Sequence, residues 1–136
     1  MALVAAVFLV DSRGWILMQE RGDDAVHDPE KWGLVGGDVE DGEDLESAAY
    51  REFAEETGVT LPPAALAYWG KFPIDRPAFG VVDTFQVYVA PTELTDADIQ
   101  CHEGRQIVFV DPCAARQLDL ADSAAHILPA FLVSST

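Results

Sequence analysis

Gly37-Asp-Val-Glu-Asp-Gly-Glu43-Asp-Leu-Glu-Ser-Ala-Ala-Tyr-Arg51-Glu52-Phe-Ala-Glu55-Glu56-Thr-Gly58-Val59 carries the densest pattern in this chain of 136 residues. Leu45, Ala48, Ala49 and Phe53 recur at helical spacing and make one apolar stripe. Asp44 suits the N-cap, Glu46 the first turn, and Gly58 the left-handed position that closes a helix. On such a helix Glu52, Glu55 and Glu56 stand at i, i+3 and i+4 and share a face. Each like-charge pair costs a few tenths of a kcal/mol in an isolated helix. Arg51 alone cannot balance all of them, so the face calls for a cation. Hard divalent ions, which take carboxylates together with substrate phosphates, fit that demand. Gly36 and Gly37 just ahead let backbone approach a ligand closely.

The spacing of these residues resembles the full signature of the Nudix hydrolases. Gly37 is followed after five residues by Glu43, after seven more by Arg51-Glu52-Phe53, then by Glu55-Glu56 and Gly58-Val59. An acidic solvated helix accounts for Glu46 but not for this whole constellation. The resemblance implies an α/β fold, an α/β/α sandwich with a mixed β-sheet. It also implies hydrolysis of a diphosphate linkage in a nucleotide, by in-line attack of water. Glu52, Glu55 and Glu56 would then ligate metal with the carbonyl of Gly36, the ion being Mg²⁺ with Mn²⁺ as the alternative. Arg51 would orient the carboxylates, and Glu43 would pair with Arg51 or brace the loop. An ordinary ion pair explains those two residues equally well.

Beyond the signature, Arg21 follows a strand, where a phosphate-binding arginine often stands in the family, and Gly37 is its companion for substrate binding. Glu103, in Cys101-His102-Glu103-Gly104, resembles the loop glutamate of MutT-type members. It is expected to be a base or a further metal ligand, on a loop able to close over substrate. Glu52 is expected to be chiefly a metal ligand, its ionised form favoured by the charge of Arg51. The compact length and the Glu103 loop favour a MutT-like nucleoside triphosphate pyrophosphohydrolase. An ADP-ribose or nucleotide-sugar hydrolase is the main rival; a nucleotide-sensing module would normally have lost the carboxylates. Asp119 and Asp122 lie where some members read an oxidised guanine, although N-capping already accounts for Asp122.

Composition narrows the partners. Twenty-four acidic against eight basic side chains leave a formal charge of −16. Such a surface repels polymeric nucleic acid and anionic lipid, so a small nucleotide is the expected substrate. The apolar run Met1–Val10 lacks a basic leader and is too short to span a membrane, which points to a cytoplasmic protein. Cys101 and Cys113 have the spacing of neither a zinc site nor a disulfide framework. Residues 1–136 read as one domain, and a homodimer stays open.

Strands are expected over Leu3–Val10, Trp15–Gln19 (returning from a turn at Asp11–Gly14), Trp32–Val35, Ala67–Phe72, Val81–Val89 and Gln106–Val110. Gly22–Lys31 reads as a polar loop and Pro73–Gly80 as a long turn. Asp111-Pro112 opens a short helix, and Asp122 or Ser123 caps the last one, in which Pro129 predicts a kink or an early stop.

Overall fold

The computed structural model describes residues 2–134, so Met1, the first residue of the N-terminal apolar run, lies outside the described residues. The fold is built on β1 (Leu3–Val10), whose residues alternate between two apolar layers. Ala5, Val7 and Leu9 face one layer, and Ala6 and Phe8 face the other. Burial on both faces explains why this strand is a continuous apolar run. β6 (Val81–Pro91) pairs with it in parallel along its whole length. β5 (Ala67–Arg76) then lies antiparallel on β6 as an edge strand. On its other side β1 meets β4 (Val35–Asp38) from Val4 to Val7, and β2 (Ile16–Glu20) only at Val10↔Ile16. β2 therefore peels away from the expected hairpin and pairs instead with β7 (Gln106–Val110) and β3 (Trp32–Gly33).

Helix α1 (Leu45–Thr57) covers one layer with Ala48, Ala49 and Phe53. Helix α3 (Asp122–Ser134) covers the other with Ala124, Ile127, Leu128 and Phe131. The short α2 (Pro112–Ala115) is capped by Asp111, as expected. The result is the predicted α/β sandwich with a mixed sheet. In α1 both predicted ends hold: Asp44 accepts from the Ser47 amide at 3.2 Å, and Gly58 closes the helix at φ +74°.

Four expectations need correction. The glycine pair does not follow a strand but lies within β4, where Gly36 and Gly37 pair with Ala6 and Ala5. Pro73 does not begin a turn; β5 runs on to Arg76, because an edge strand tolerates a residue with no amide hydrogen. Pro129 makes no early stop, since it stays inside α3, which continues to Ser134. The carboxylate that receives the first amide of α3 is remote: Asp122 N donates at 2.9 Å to Oδ2 of Asp28, from the loop between β2 and β3. Among the described residues no helix is long and apolar enough to cross a membrane. Cys101 and Cys113 are both free and exposed.

Candidate active site

Where β4 passes in front of α1, the two glycines allow close approach. A Cβ on Gly37 would stand 2.3 Å from Oε2 of Glu52, and one on Gly36 would stand 2.2 Å from the Ala5 carbonyl oxygen. The Gly36 amide faces Oε1 of Glu56 at 3.4 Å. Two carboxylates of the predicted face of α1, Glu52 and Glu56, thus look directly onto the glycine strand.

Arg51 is the hub of the signature. Its Nε and Nη2 bind Glu43 bidentately at 2.6 and 2.8 Å. Nη1 reaches Glu52 at 2.9 Å and Glu55 at 3.0 Å, and Nη2 also donates to the Asp38 carbonyl at 3.1 Å. One guanidinium therefore ties the loop before α1 to the carboxylate face of the helix. The fork on Glu43 and the Glu40 amide hold the Glu43 carboxyl down at about 2. The same contacts with Glu43, Glu52 and Glu55 raise the pKa of Arg51.

Glu52 behaves otherwise than the sequence suggests. Arg51 does favour its ionised form, but burial outweighs that contact, and the Glu55 and Glu103 carboxylates add to the upward shift. Glu56 is 3% exposed. Burial first, then the neighbouring Glu103 and Glu52 carboxylates, push it from its ordinary 4.5 to about 9. A buried carboxyl beside two others is costly to ionise and becomes favourable beside a cation, so the donor set suits a hard divalent ion. Among the described residues no three His, Cys, Asp or Glu side chains already converge as ligands. Arg51 holds Glu52 and Glu55 to itself instead.

Glu103 joins this group from the loop before β7, in which Gln19 Nε2 donates to the Glu103 carbonyl at 2.8 Å. The loop is fastened on both sides of Glu103: His102 N donates to Glu56 O, and Arg105 N to Glu20 O. Arg21 lines the same cleft, with its Nε committed to the His27 carbonyl at 3.0 Å. Glu52, Glu56, Glu103, Gly36, Gly37 and Arg21 all border one cleft of about 1160 Å³. Glu43 and Glu55 stand behind it, reached through Arg51.

The cleft also has a wall that the sequence did not announce. Arg76, 7% exposed, donates Nε to Asp83 at 3.2 Å and Nη1 to Asp28 at 3.4 Å. Its Nη1 lies 3.8 Å from Asp122. His27 stacks edge-on against Phe79 with ring centroids 4.7 Å apart. Arg76 and the Arg51 cluster thus bracket a polar cleft with an aromatic edge. Asp119 stays outside it, exposed, with its carbonyl taken by Trp32.

The chain belongs to the Nudix family: the NUDIX domain model matches residues 2–131. Nudix enzymes are hydrolases acting on diphosphate bonds and generally use divalent metal ions. Over 53 residues the chain is 45% identical to an RNA pyrophosphohydrolase of Novosphingobium aromaticivorans, covering 39% of this chain and 32% of that protein. Such matches span a third or less of these curated relatives. The structure superposes on the MutT protein of Methanosarcina mazei Go1 with TM-score 0.82 and 20% identity, over 99% of this chain and 95% of that one. It superposes equally well on the NUDIX domain of Shewanella oneidensis NrtR, solved with ADP ribose: TM-score 0.80, 20% identity, 100% and 89% coverage. At such identities these two likenesses speak for the fold.

Proposed function

We propose that this chain is a cytoplasmic, Mg²⁺-dependent pyrophosphohydrolase of nucleoside triphosphates or closely related nucleotides, acting as one domain. The observation that carries the reading is the buried Glu56 carboxyl, set beside Glu52 and Glu103 on the floor of the cleft. Glu52, Glu55, Glu56 and Glu103, with the Gly36 carbonyl, would hold the metal. Bound there, the metal supplies charge neutralisation on the phosphate oxygens and acidifies water.

The chain's own groups do the rest. Arg51 ties Glu52 and Glu55 together through Nη1, with Glu43 anchoring the guanidinium. Arg21 offers its remaining donors to a phosphate, and Gly37 lets the chain of phosphates pass close to β4. Glu103 takes the proton of the attacking water or serves as a further ligand, while Glu52 is chiefly a ligand. The nucleoside end reaches toward Phe79 and Arg76. Proton transfer by a placed carboxylate contributes roughly 10²- to 10⁴-fold, which sets the scale for losing Glu103.

A substrate panel with product analysis tests the reading. Nucleoside triphosphates, their oxidised forms, ADP-ribose and nucleotide sugars are offered with Mg²⁺ and again with excess chelator. Cleavage of a triphosphate to monophosphate and pyrophosphate, abolished by the chelator, is expected. Turnover confined to ADP-ribose or a nucleotide sugar would replace the substrate class. Binding without cleavage would make the chain a sensing module.

A further inference from the structure

The last turn of α1 and the loop carrying Glu103 are joined by hydrogen bonds that the mechanism above leaves unused. Gln100 N donates to the Thr57 carbonyl and His102 N to the Glu56 carbonyl, both at 2.9 Å. The His102 ring continues the series, with Nδ1 2.9 Å from the Glu55 carbonyl oxygen. Three successive carbonyls that an isolated helix would leave unpartnered are taken by one loop. Gly58 makes room for it, since a Cβ there would stand 2.8 Å from Oε1 of Gln100. The Gln100 carboxamide lies 2.6 Å from His102 Nε2, and with the proton on Nδ1 it is the amide NH₂ that donates to this nitrogen. Beyond Glu103, Gly104 (φ +86°) passes so close to β2 that a Cβ would stand 2.6 Å from the Glu20 carbonyl oxygen.

We propose that His102 is a positioning residue: its ring, tied to the Glu55 carbonyl, fixes the adjoining Glu103 against Glu52 and Glu56. Nδ1 faces a carbonyl oxygen and therefore donates. The carbonyl it grips belongs to the helical turn that carries Glu55 and Glu56. A single ring thus sets the spacing between the helix carboxylates and the loop carboxylate. The ring lies at the exposed end of α1, away from both apolar layers, so its loss leaves the core intact. The proposal rests on the role given to Glu103.

The test is a double-mutant cycle on the full chain, with kcat and KM measured at saturating Mg²⁺. His102→Ala is expected to lower kcat about 10- to 100-fold, the range for losing a group that orients a ligand, with KM little changed. In the Glu103→Gln background the same change should cost nothing further, because its route to the reaction is already gone. His102→Asn, whose carboxamide nitrogen can occupy the place of Nδ1, should restore most of the rate. Titration of Mn²⁺ alone, followed by its paramagnetic resonance, should show weaker binding in His102→Ala and recovery in His102→Asn. If His102→Ala does not fold, His102→Gln, whose donor sits one carbon too far out, takes its place. Additive losses in the cycle, full kcat in His102→Ala, or no recovery with asparagine would overturn the proposal. Near-normal kcat in Glu103→Gln would instead overturn the role of Glu103 itself, and the proposal with it.

Discussion

Arg21 shows how far a single residue can be read from its type and place. The sequence puts a guanidinium at the end of a strand, and the structure puts it in the cleft with Nε already spent on the His27 carbonyl. The remaining fork is what a phosphate would meet. Arg21→Ala should raise KM by about tenfold or more, since a hydrogen bond to a charged group is worth roughly 1.5–3 kcal/mol. Arg21→Lys should recover only part of it, because a lysine makes neither the fork nor the tie to the loop. Steady-state kinetics check this, and unchanged KM in both variants would leave Arg21 as a loop tie alone. Glu52 teaches the opposite lesson. Its neighbour Arg51 is visible in the sequence and its burial is not, yet burial decides the direction of its pKa. Arg76 was illegible for a related reason. Its partners Asp83 and Asp28 are 7 and 48 residues away, and no local pattern announces such a pairing.

At the scale of elements, α1 was legible almost to the residue because cap, stripe and closing glycine all agree on one register. Strand β4 was not, since two glycines supply no side chains to alternate. Sequence alone ends β5 at Phe72, because Pro73 looks like a breaker wherever the neighbouring strands are unknown. The glycine strand and α1 together yield a prediction with two distinct outcomes. An added methyl at Gly36 meets the Ala5 backbone at 2.2 Å, so Gly36→Ala should disrupt the β1–β4 pairing and lower the melting temperature markedly. At Gly37 the methyl's nearest neighbours are the carboxyl atoms of Glu52, from 2.3 Å, the far end of a side chain that can swing aside. Gly37→Ala should therefore melt close to wild type and lose about 10²-fold in kcat, as expected for a displaced reacting group. Melting curves and turnover on both proteins check it; equal stability losses would show that β4, not Glu52, absorbs both methyls.

Across the whole molecule, the crowding of carboxylates links stability, pH and metal. Glu43, Asp11 and Asp83 have lowered pKa values in the fold, Glu43 to about 2. They stabilise the protein above the pKa values of the unfolded chain and lose that contribution as pH falls. Glu56 acts with the opposite sign. Its folded value, about 9 against an ordinary 4.5, means that the native state holds a proton the unfolded chain has released between those limits. Its contribution is complete below 4.5 and is lost progressively as pH rises toward 9. The metal-free protein should thus be most stable in mildly acidic solution and weaken steadily on the alkaline side. Mg²⁺ should lift the alkaline side most, because binding there expels the Glu56 proton and stabilises the native state alone. Glu56→Gln keeps the shape and removes the titration. It should flatten the alkaline slope of the metal-free melting curve, abolish the Mg²⁺ effect, and cut turnover severely while the fold persists. Melting temperatures from pH 4 to 9, with chelator and with Mg²⁺, decide it: Glu52, whose pKa is also raised, leaves a smaller slope, whereas an undiminished slope in Glu56→Gln would move the buried proton to another carboxyl.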